Sequence, residues 1–373
     1  MLKRFTVTNF KNFENTVTFS LDSASNYEFN TEVVRGGCIA KGIVFGINGS
    51  GKSNLALAIF DIILHLTDKQ RSLDKYDNYL NLNSKKPTAD FEYCFNFDGV
   101  EVVYRYSKTA PLVLTYESLL INGKEVLNYD YSLKQGYTSL EGAQNLQLDS
   151  AFTDEAETLS RVKYVKSNAL LKETEENKAF RAFTSFVDKM LMFYSLDQNR
   201  YQGMLIGRIR CSQGIINEGK IKEFEAFLKT QGLDYNLVVV DDPVSGSKEL
   251  HCRFGNGTVP FASVASTGTR SLVIFYYWYL VMSKASFVYI DEYDAFYHFE
   301  LSQEIVRLVR SLKDTQVFLS SHNTDLISNE LLRPDAYFRI ADNKIRSFDQ
   351  LTDKELRRAH NLQKMYKAGS FNE

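Results

Sequence analysis

Little in this sequence points to a membrane or to an oxidising compartment. The chain has 373 residues and only four cysteines, none of them spaced as in a metal-binding pair or a disulfide framework. We interpret all four as reduced thiols of a cytoplasmic protein. The longest apolar run, Leu272 to Met282, suits a buried helix and is too short to cross a bilayer. The N-terminus has a strand pattern and not that of a signal peptide, so we expect no membrane partner. The cysteines are Cys38, Cys94, Cys211 and Cys252.

Long heptad runs and internal repeats are also missing, which argues against a coiled-coil arm. The formal net charge of -2 neither favours nor excludes nucleic acid, because a basic patch can lie on a nearly neutral protein. The composition, with 44% hydrophobic and 24% charged residues, is that of an ordinary globular protein. The length predicts one large domain or two interleaved ones.

Hydrophobic periodicity predicts alternating strands and helices. Residues 43–45 form a short apolar strand that runs into a glycine-rich loop and then into a helix. Residues 90–128 read as antiparallel strands, with turns at Asp98-Gly99 and Asn122-Gly123. Residues 136–153 are polar and irregular, and residues 155–194 are predicted to be helical. Strand character returns at residues 235–261.

The glycine-rich loop, Gly46-Ile-Asn-Gly-Ser-Gly-Lys-Ser53, matches the complete phosphate-loop pattern. Its glycines let successive backbone N–H groups turn toward phosphates, and the following helix directs its positive end at them. Lys52 is expected to reach the β- and γ-phosphates, and Ser53 to ligate Mg²⁺. A glycine-rich turn that binds nothing is the weaker alternative. The predicted nucleotide-binding residues here are Gly46, Asn48, Gly49, Ser50, Gly51, Lys52, Ser53 and Asn54.

Two adjacent acids end a buried strand at Phe287-Val-Tyr-Ile-Asp291-Glu292. Adjacent carboxylates at a strand end are costly unless a cation or a proton offsets them. We therefore expect Asp291 to hold magnesium and Glu292 to polarise the attacking water. The same pattern alone is as often a helix cap or a surface acid, but the upstream phosphate loop favours catalysis.

Two further elements are less specific. Ser266, Thr267 and Gly268 open a helix and are candidates for a second phosphate-binding site, although a plain helix N-cap explains them as well. His322 follows the apolar strand at residues 317–319 and is a candidate for contacting the γ-phosphate. A structural histidine is the alternative there.

In chain order, the phosphate loop, the Ser266 to Gly268 segment, the two acids and His322 together resemble the ABC-type ATPases that include RecF, SMC and OLD proteins. The sequences STGTRSL and DEYDAFYH, and the tail from Asn361 to Gly369, resemble most the short AAA-type ATP-binding proteins of bacterial abortive-infection loci. The chain has no segment that fits the Toprim nuclease of OLD proteins or the coiled coil of SMC proteins. The glutamine that bridges magnesium and water in such heads has no assigned position in this sequence, and Gln135, Gln144 and Gln147 are candidates for it.

The resemblance implies an α/β ABC-type P-loop ATPase head with a mixed sheet, an antiparallel β subdomain and a helical insertion. We expect residues 1–65 and 260–345 to form the ATPase core, residues 66–260 the antiparallel strands and the insertion, and residues 346–373 a tail.

The implied function is ATP hydrolysis with Mg²⁺ by an ATP-dependent homodimer, in which the second copy supplies the Ser266 to Gly268 segment. As an anti-phage sensor, this dimer would control a separately encoded effector such as a nuclease. A RecF-like DNA-repair ATPase and a non-hydrolysing scaffold remain the alternatives, and nucleic-acid binding stays open.

Overall fold

The computed structural model describes residues 1–69, 73–150, 157–197, 200–204, 211–241 and 246–371. The strands, numbered in chain order, are β1 Leu2–Thr8, β2 Val17–Ser20, β3 Val34–Arg35, β4 Cys38–Ile39, β5 Lys41–Phe45, β6 Ala89–Phe97, β7 Val100–Ala110, β8 Val113–Ile121, β9 Lys124–Asp130, β10 Gln135–Thr138, β11 Met190–Tyr194, β12 Arg200–Gly203, β13 Leu237–Asp241, β14 Lys248–Phe254, β15 Gly257–Pro260, β16 Phe287–Asp291, β17 Gln316–Ser321, β18 Tyr337–Ala341 and β19 Lys344–Ser347. The helices are α1 Lys52–Phe60, α2 Ile63–Leu66, α3 Arg161–Asn168, α4 Glu175–Asp188, α5 Cys211–Asn217, α6 Ile221–Thr230, α7 Phe261–Val264, α8 Thr267–Met282, α9 Phe299–Arg310 and α10 Leu362–Lys367.

A seven-stranded mixed sheet forms the centre of the molecule, in the order β12-β11-β16-β17-β5-β18-β19. The five inner strands are parallel, and β12 and β19 pair antiparallel at its edges. Every residue of β5 and of β17 is buried, as expected of strands covered on both faces. Because the inner strands are parallel, the loops that follow β5, β16 and β17 all leave the same edge of the sheet.

The second sheet has seven antiparallel strands in the order β10-β9-β8-β7-β6-β1-β2. Hydrogen bonds and aromatic packing join it to the mixed sheet. The amide side chain of Gln316 accepts a hydrogen bond from Leu2 N at 2.7 Å and donates one to Leu2 O at 2.9 Å. The ring of Phe19 lies between those of Phe318 and Phe338, with centroids 5.3 and 4.9 Å away. The predicted α/β head with a mixed sheet and antiparallel strands is thus confirmed.

A buried charged cluster joins α1 to the antiparallel sheet. The carboxylate of Asp61, just after α1, accepts hydrogen bonds from Lys108 Nζ at 2.6 Å, Tyr106 Oη at 2.9 Å and Tyr79 Oη at 3.0 Å. The side chains of Asp61 and Lys108 are fully buried. Such a pair is tolerated inside a protein because each charge is neutralised and hydrogen-bonded by its partner. The cluster therefore fixes the end of α1 against the sheet.

The structure departs from the sequence predictions at two segments. Residues 190–194 were predicted to be helical, but they form β11, which pairs in parallel with β16. Residues 136–138 were predicted to be irregular, but they belong to β10 at the edge of the antiparallel sheet. Both predicted turns are confirmed, since Asp98 and Asn122 adopt positive φ angles between paired strands.

None of the four cysteines, all of which lie in the described ranges, forms a disulfide. In the part of the chain that the structure describes, no helix is both long enough and apolar enough to cross a membrane.

Candidate nucleotide-binding site

The phosphate loop lies between β5 and α1, as the sequence predicts. Gly49 and Gly51 adopt φ angles of 81° and 104°, in the left-handed region that favours glycine. A Cβ atom on Gly51 would lie 2.7 Å from Asn12 Nδ2, so the β1–β2 loop also requires glycine there. Asn12 accepts a hydrogen bond from Asn54 Nδ2 at 2.6 Å, which joins the β1–β2 loop to α1. Asn48 is exposed on the loop.

Lys52 is the first residue of α1, and its side chain is only 4% exposed. Its ammonium group donates hydrogen bonds to the carbonyl oxygens of Gly46 at 2.8 Å and of Ile47 at 3.4 Å. The same group lies 3.4 Å from Glu292 Oε1. The lysine thus lies folded back across its own loop, where carbonyl oxygens and a carboxylate occupy its donors.

The two predicted acids lie at the end of β16. Asp291 accepts hydrogen bonds from the hydroxyls of Ser53 and Ser320, the latter at 2.7 Å. Burial raises the pKa of Asp291, while these two hydrogen bonds act in the opposite direction. Ser53 and Asp291, both predicted to be magnesium ligands, are therefore in contact.

Glu292 has a φ angle of 49°, a left-handed conformation that costs a residue with a side chain about 1–2 kcal/mol. Its carboxylate is 3.1 Å from His322 Nδ1 through one oxygen and 3.4 Å from Lys52 Nζ through the other. The His322 side chain is 59% exposed just beyond β17. The parallel sheet thus brings together a lysine, a glutamate and a histidine from three separate loops.

A second acid that could serve as the base, Asp294, lies three residues after Asp291. One of its carboxylate oxygens accepts a hydrogen bond from Ser321 Oγ at 2.9 Å, and the other is buried without a hydrogen-bond partner among the described residues. Burial raises the pKa of this carboxyl group. Because Glu292 Oε1 is 3.4 Å from Lys52 Nζ, we favour Glu292 over Asp294 as the base.

The segment from Ser266 to Gly268 forms the start of α8. Ser266 is the N-cap, and its hydroxyl accepts a hydrogen bond from Thr269 N at 3.1 Å. Thr267 is the first helical residue, and its side chain lies outside what the structure describes. Ser266 and Gly268 are exposed, and within the described ranges no hydrogen bond connects either of them to the phosphate loop. Within a single chain, this segment therefore makes no described hydrogen bond to Lys52.

The three candidate glutamines lie in the antiparallel lobe. Gln135, Gln144 and Gln147 have exposed side chains in or after β10, at the outer edge of that sheet. On the side of β16 away from β17, the neighbouring strand is β11. Ser195 follows β11 and donates its backbone N–H to Asp291 O at 3.3 Å. The Ser195 hydroxyl is buried and has no hydrogen-bond partner in the structure. The sequence did not indicate this position, because residues 190–194 were predicted to be helical.

The C-terminal tail borders the phosphate loop. A groove of about 760 Å³ has residues 46–50 on one side and Arg339, Tyr366 and Lys367 on the other. Asp325, three residues after His322, is 3.0 Å from Lys367 Nζ and also accepts a hydrogen bond from Gln363. The tail is therefore attached directly to the loop that carries the histidine.

Two solved structures of SMC heads are similar to this chain. An SMC head bound to the C-terminal winged-helix domain of ScpA is 16% identical, with 93% of this chain and 97% of that chain covered at a TM-score of 0.49. The SMC head domain from Thermotoga maritima is 15% identical, with coverage of 92% and 97% and a TM-score of 0.44. No curated protein in the comparison matches the chain.

A family model described as "AAA domain, putative AbiEii toxin, Type IV TA system" matches residues 43–328. This range includes the phosphate loop, the start of α8, the acids after β16 and His322. It also covers well over half of the 373 residues. The chain therefore belongs to this family of AAA domains, which includes putative AbiEii toxins.

Proposed function

We propose that the protein binds ATP with Mg²⁺ and hydrolyses it. The observation that carries this proposal is the position of the Glu292 carboxylate between Lys52 Nζ and His322 Nδ1. A phosphate-binding cation, a base and a γ-phosphate contact are the groups that phosphoryl transfer to water requires, because the protein's task is mostly positioning and charge neutralisation.

The backbone N–H groups of the loop and the N-terminus of α1 bind the phosphates in this proposal. Lys52 exchanges its carbonyl and carboxylate partners for the β- and γ-phosphate oxygens. Asn54, at the start of α1, holds the β1–β2 loop against the nucleotide through Asn12. The resting contacts of Lys52 are the ones that ATP must replace.

Ser53 and Asp291 fit a magnesium ion, because a hydroxyl and a carboxylate already in contact are the oxygen ligands that this cation prefers. Mg²⁺ usually binds through one or two carboxylates together with substrate phosphates. In keeping with this, no group of three or more His, Cys, Asp or Glu side chains in the described ranges is arranged to hold a metal. Bound there, the ion would neutralise phosphate charge.

Glu292 acts as the general base in this proposal. Its carboxylate accepts a proton from the attacking water, and its left-handed backbone directs the side chain away from the β16 ladder toward Lys52. His322, exposed at the sheet edge, contacts a γ-phosphate oxygen and orients Glu292 through the 3.1 Å contact. Both side chains could reach a water molecule bound beside their contact.

A second copy of the chain completes the site. Ser266 and Gly268 are exposed at the start of α8, and the backbone N–H groups of a helix start are suited to binding an anion. Within one chain, α1 already directs its N-terminus at the nucleotide. Supply of the α8 start by a partner therefore closes the site over the exposed phosphate, so that ATP holds the dimer together.

The biological role that we propose is that of a sensor in anti-phage defence, which holds or releases a separately encoded effector such as a nuclease. The family description, which names a toxin and a toxin–antitoxin system, supports this role. The exposed α8 start and the tail attached after His322 are surfaces through which the nucleotide state can reach a partner.

Lys52→Ala tests both the nucleotide site and the proposed defence role. It removes the cation nearest to the β- and γ-phosphates, so ATP binding measured by calorimetry should be lost or weakened at least about a hundredfold. Lys178→Ala, which removes an exposed lysine on α4 that pairs with Glu175, is the control. In cells that carry the neighbouring genes, Lys52→Ala should also abolish protection in a plaque assay. Unchanged ATP affinity would contradict the nucleotide site, and unchanged protection with lost binding would contradict the defence role alone.

A further inference from the structure

Ser320 binds both amide groups that follow Asp291. Its hydroxyl oxygen accepts a hydrogen bond from Glu292 N at 2.8 Å, and its carbonyl oxygen accepts one from Tyr293 N at 3.2 Å. The regular ladder between β16 and β17 ends one residue earlier, at Ile290 and Leu319. A side-chain oxygen therefore replaces the backbone acceptor at the point where the chain turns out of the sheet.

The Ser320 hydroxyl also donates its proton to Asp291 Oδ1 at 2.7 Å. With its single hydrogen directed at Asp291, the oxygen presents a lone pair to Glu292 N–H. Ser320 is fully buried, so water cannot easily substitute for either bond. One hydroxyl thus fixes the side chain of one acid and the backbone of the next.

This arrangement determines where the Glu292 carboxylate lies. Glu292 adopts a left-handed conformation that a residue with a side chain rarely adopts unless its surroundings impose it. The bond from its N–H to Ser320 is the contact that holds this conformation on the β17 side. If the peptide rotated into an ordinary conformation, the side chain would leave the space between Lys52 and His322.

We propose that Ser320 is a positioning residue for ATP hydrolysis, which sets the direction of the Glu292 carboxylate through the Glu292 amide and holds Asp291 beside Ser53. The inference rests on the proposed function, because it assigns Ser320 a part in that reaction. Ser320 touches no phosphate in this assignment, so it should affect the chemical step and not ATP binding.

The neighbouring serine is a matched control. Ser321 is also fully buried at the end of β17. Its hydroxyl donates to Asp294 Oδ2 at 2.9 Å and accepts from Asn323 N at 2.9 Å. It binds neither Asp291 nor Glu292 by a hydrogen bond, so the two serines differ mainly in which acid they hold.

The test compares Ser320→Ala with Ser321→Ala in kcat, ATP affinity and melting temperature. We expect Ser320→Ala to lower kcat by roughly tenfold to a hundredfold, the scale of misplacing a catalytic group by about 1 Å, and to leave ATP affinity within about twofold. Ser321→Ala should keep kcat within about threefold. Ser320→Thr keeps the hydroxyl and should retain most of the activity. Ser320→Cys keeps the volume but is a weak donor and acceptor, so it should behave like Ser320→Ala.

Hydrogen exchange of the peptide that covers residues 287–295 gives a readout independent of turnover. The Glu292 amide should exchange faster in Ser320→Ala than in Ser321→Ala. Equal kcat and equal exchange in the two alanine variants, with an active wild type, would overturn the role of Ser320 and leave the ATPase proposal intact. An inactive wild type with faster exchange in Ser320→Ala would instead reject hydrolysis while retaining the contact. Loss of ATP affinity equal to the loss of kcat would also contradict a positioning role.

Discussion

Glu292→Gln separates ATP binding from ATP hydrolysis. The substitution keeps the shape of the side chain and removes its charge, so Lys52 Nζ loses the carboxylate oxygen 3.4 Å away. At that distance, the Coulomb attraction is about 5 kcal/mol with an effective dielectric constant of about 20. Because the side chains of Lys52 and Glu292 are only 4% and 14% exposed, desolvation offsets most of this attraction, and we take about 1 kcal/mol as the net contribution of the pair.

Loss of this ion pair is expected to raise the affinity for ATP. In the wild type, ATP must displace Glu292 from Lys52, whereas in Glu292→Gln the lysine is released from that competition. A net difference of about 1 kcal/mol corresponds to ATP binding about fivefold more tightly. Turnover should fall by at least about a hundredfold, because an amide cannot accept the proton of the attacking water. The variant should therefore accumulate as an ATP-bound dimer.

Calorimetry, steady-state phosphate release and size-exclusion chromatography with and without ATP measure these three effects. The matched control is Glu300→Gln, which removes the same charge from an exposed position at the start of α9 and should change none of them. Wild-type turnover in Glu292→Gln would refute the assignment of the base and make Asp294 the next candidate. Weaker ATP binding in the same variant would refute the competition for Lys52.

Two further predictions concern assembly and stability. Gly268→Arg should be inactive alone yet regain about a quarter of wild-type activity when mixed with equally inactive Lys52→Ala chains, because half of the exchanged dimers contain one intact composite site. A Cβ atom at Gly268 meets only Ser266 Oγ, at 3.8 Å, so the arginine should not disturb its own chain. If subunit exchange is verified and the mixture is no more active than its separate parts, the result would argue against shared sites. Lys108→Ala should lower the free energy of unfolding by about 3–5 kcal/mol in denaturant titrations, since it leaves the buried Asp61 charge without its cation. Lys86→Ala, at a half-exposed pair with Asp90, should cost under about 1 kcal/mol, and equal losses in the two variants would contradict this account.

The phosphate loop and the two acids could be predicted because their signals are local. A short apolar strand, a fixed glycine spacing and a helix period occur within about 20 residues, and each has a physical reason that does not depend on the rest of the chain. The strands β5, β16 and β17 were found in this way. Their parallel order then implies that Lys52, Glu292 and His322 share one edge of the sheet.

The missed features depend on contacts between distant parts of the chain. The run Met190-Leu-Met-Phe-Tyr194 follows an amphipathic helix, and five apolar residues carry no period that separates a strand from a helix. Its strand state is imposed by β16, almost 100 residues later. The left-handed backbone of Glu292 and the double role of Ser320 likewise depend on where β17 ends relative to β16, which no local pattern encodes.

The position of β5 in the mixed sheet determines when the site can first exist during synthesis. In the mixed sheet, β5 lies between β17 and β18. The strand β17 begins roughly 270 residues after β5 ends. At the usual elongation rates of about 5–20 residues per second, β5 waits about 15–50 s after its own synthesis for either neighbour. Nascent chains shorter than about 320 residues thus carry the complete phosphate-loop sequence without the sheet that shapes it. A ribosome-bound or truncated chain should therefore be unable to compete for ATP, and its unpaired apolar strand makes it a substrate for chaperones.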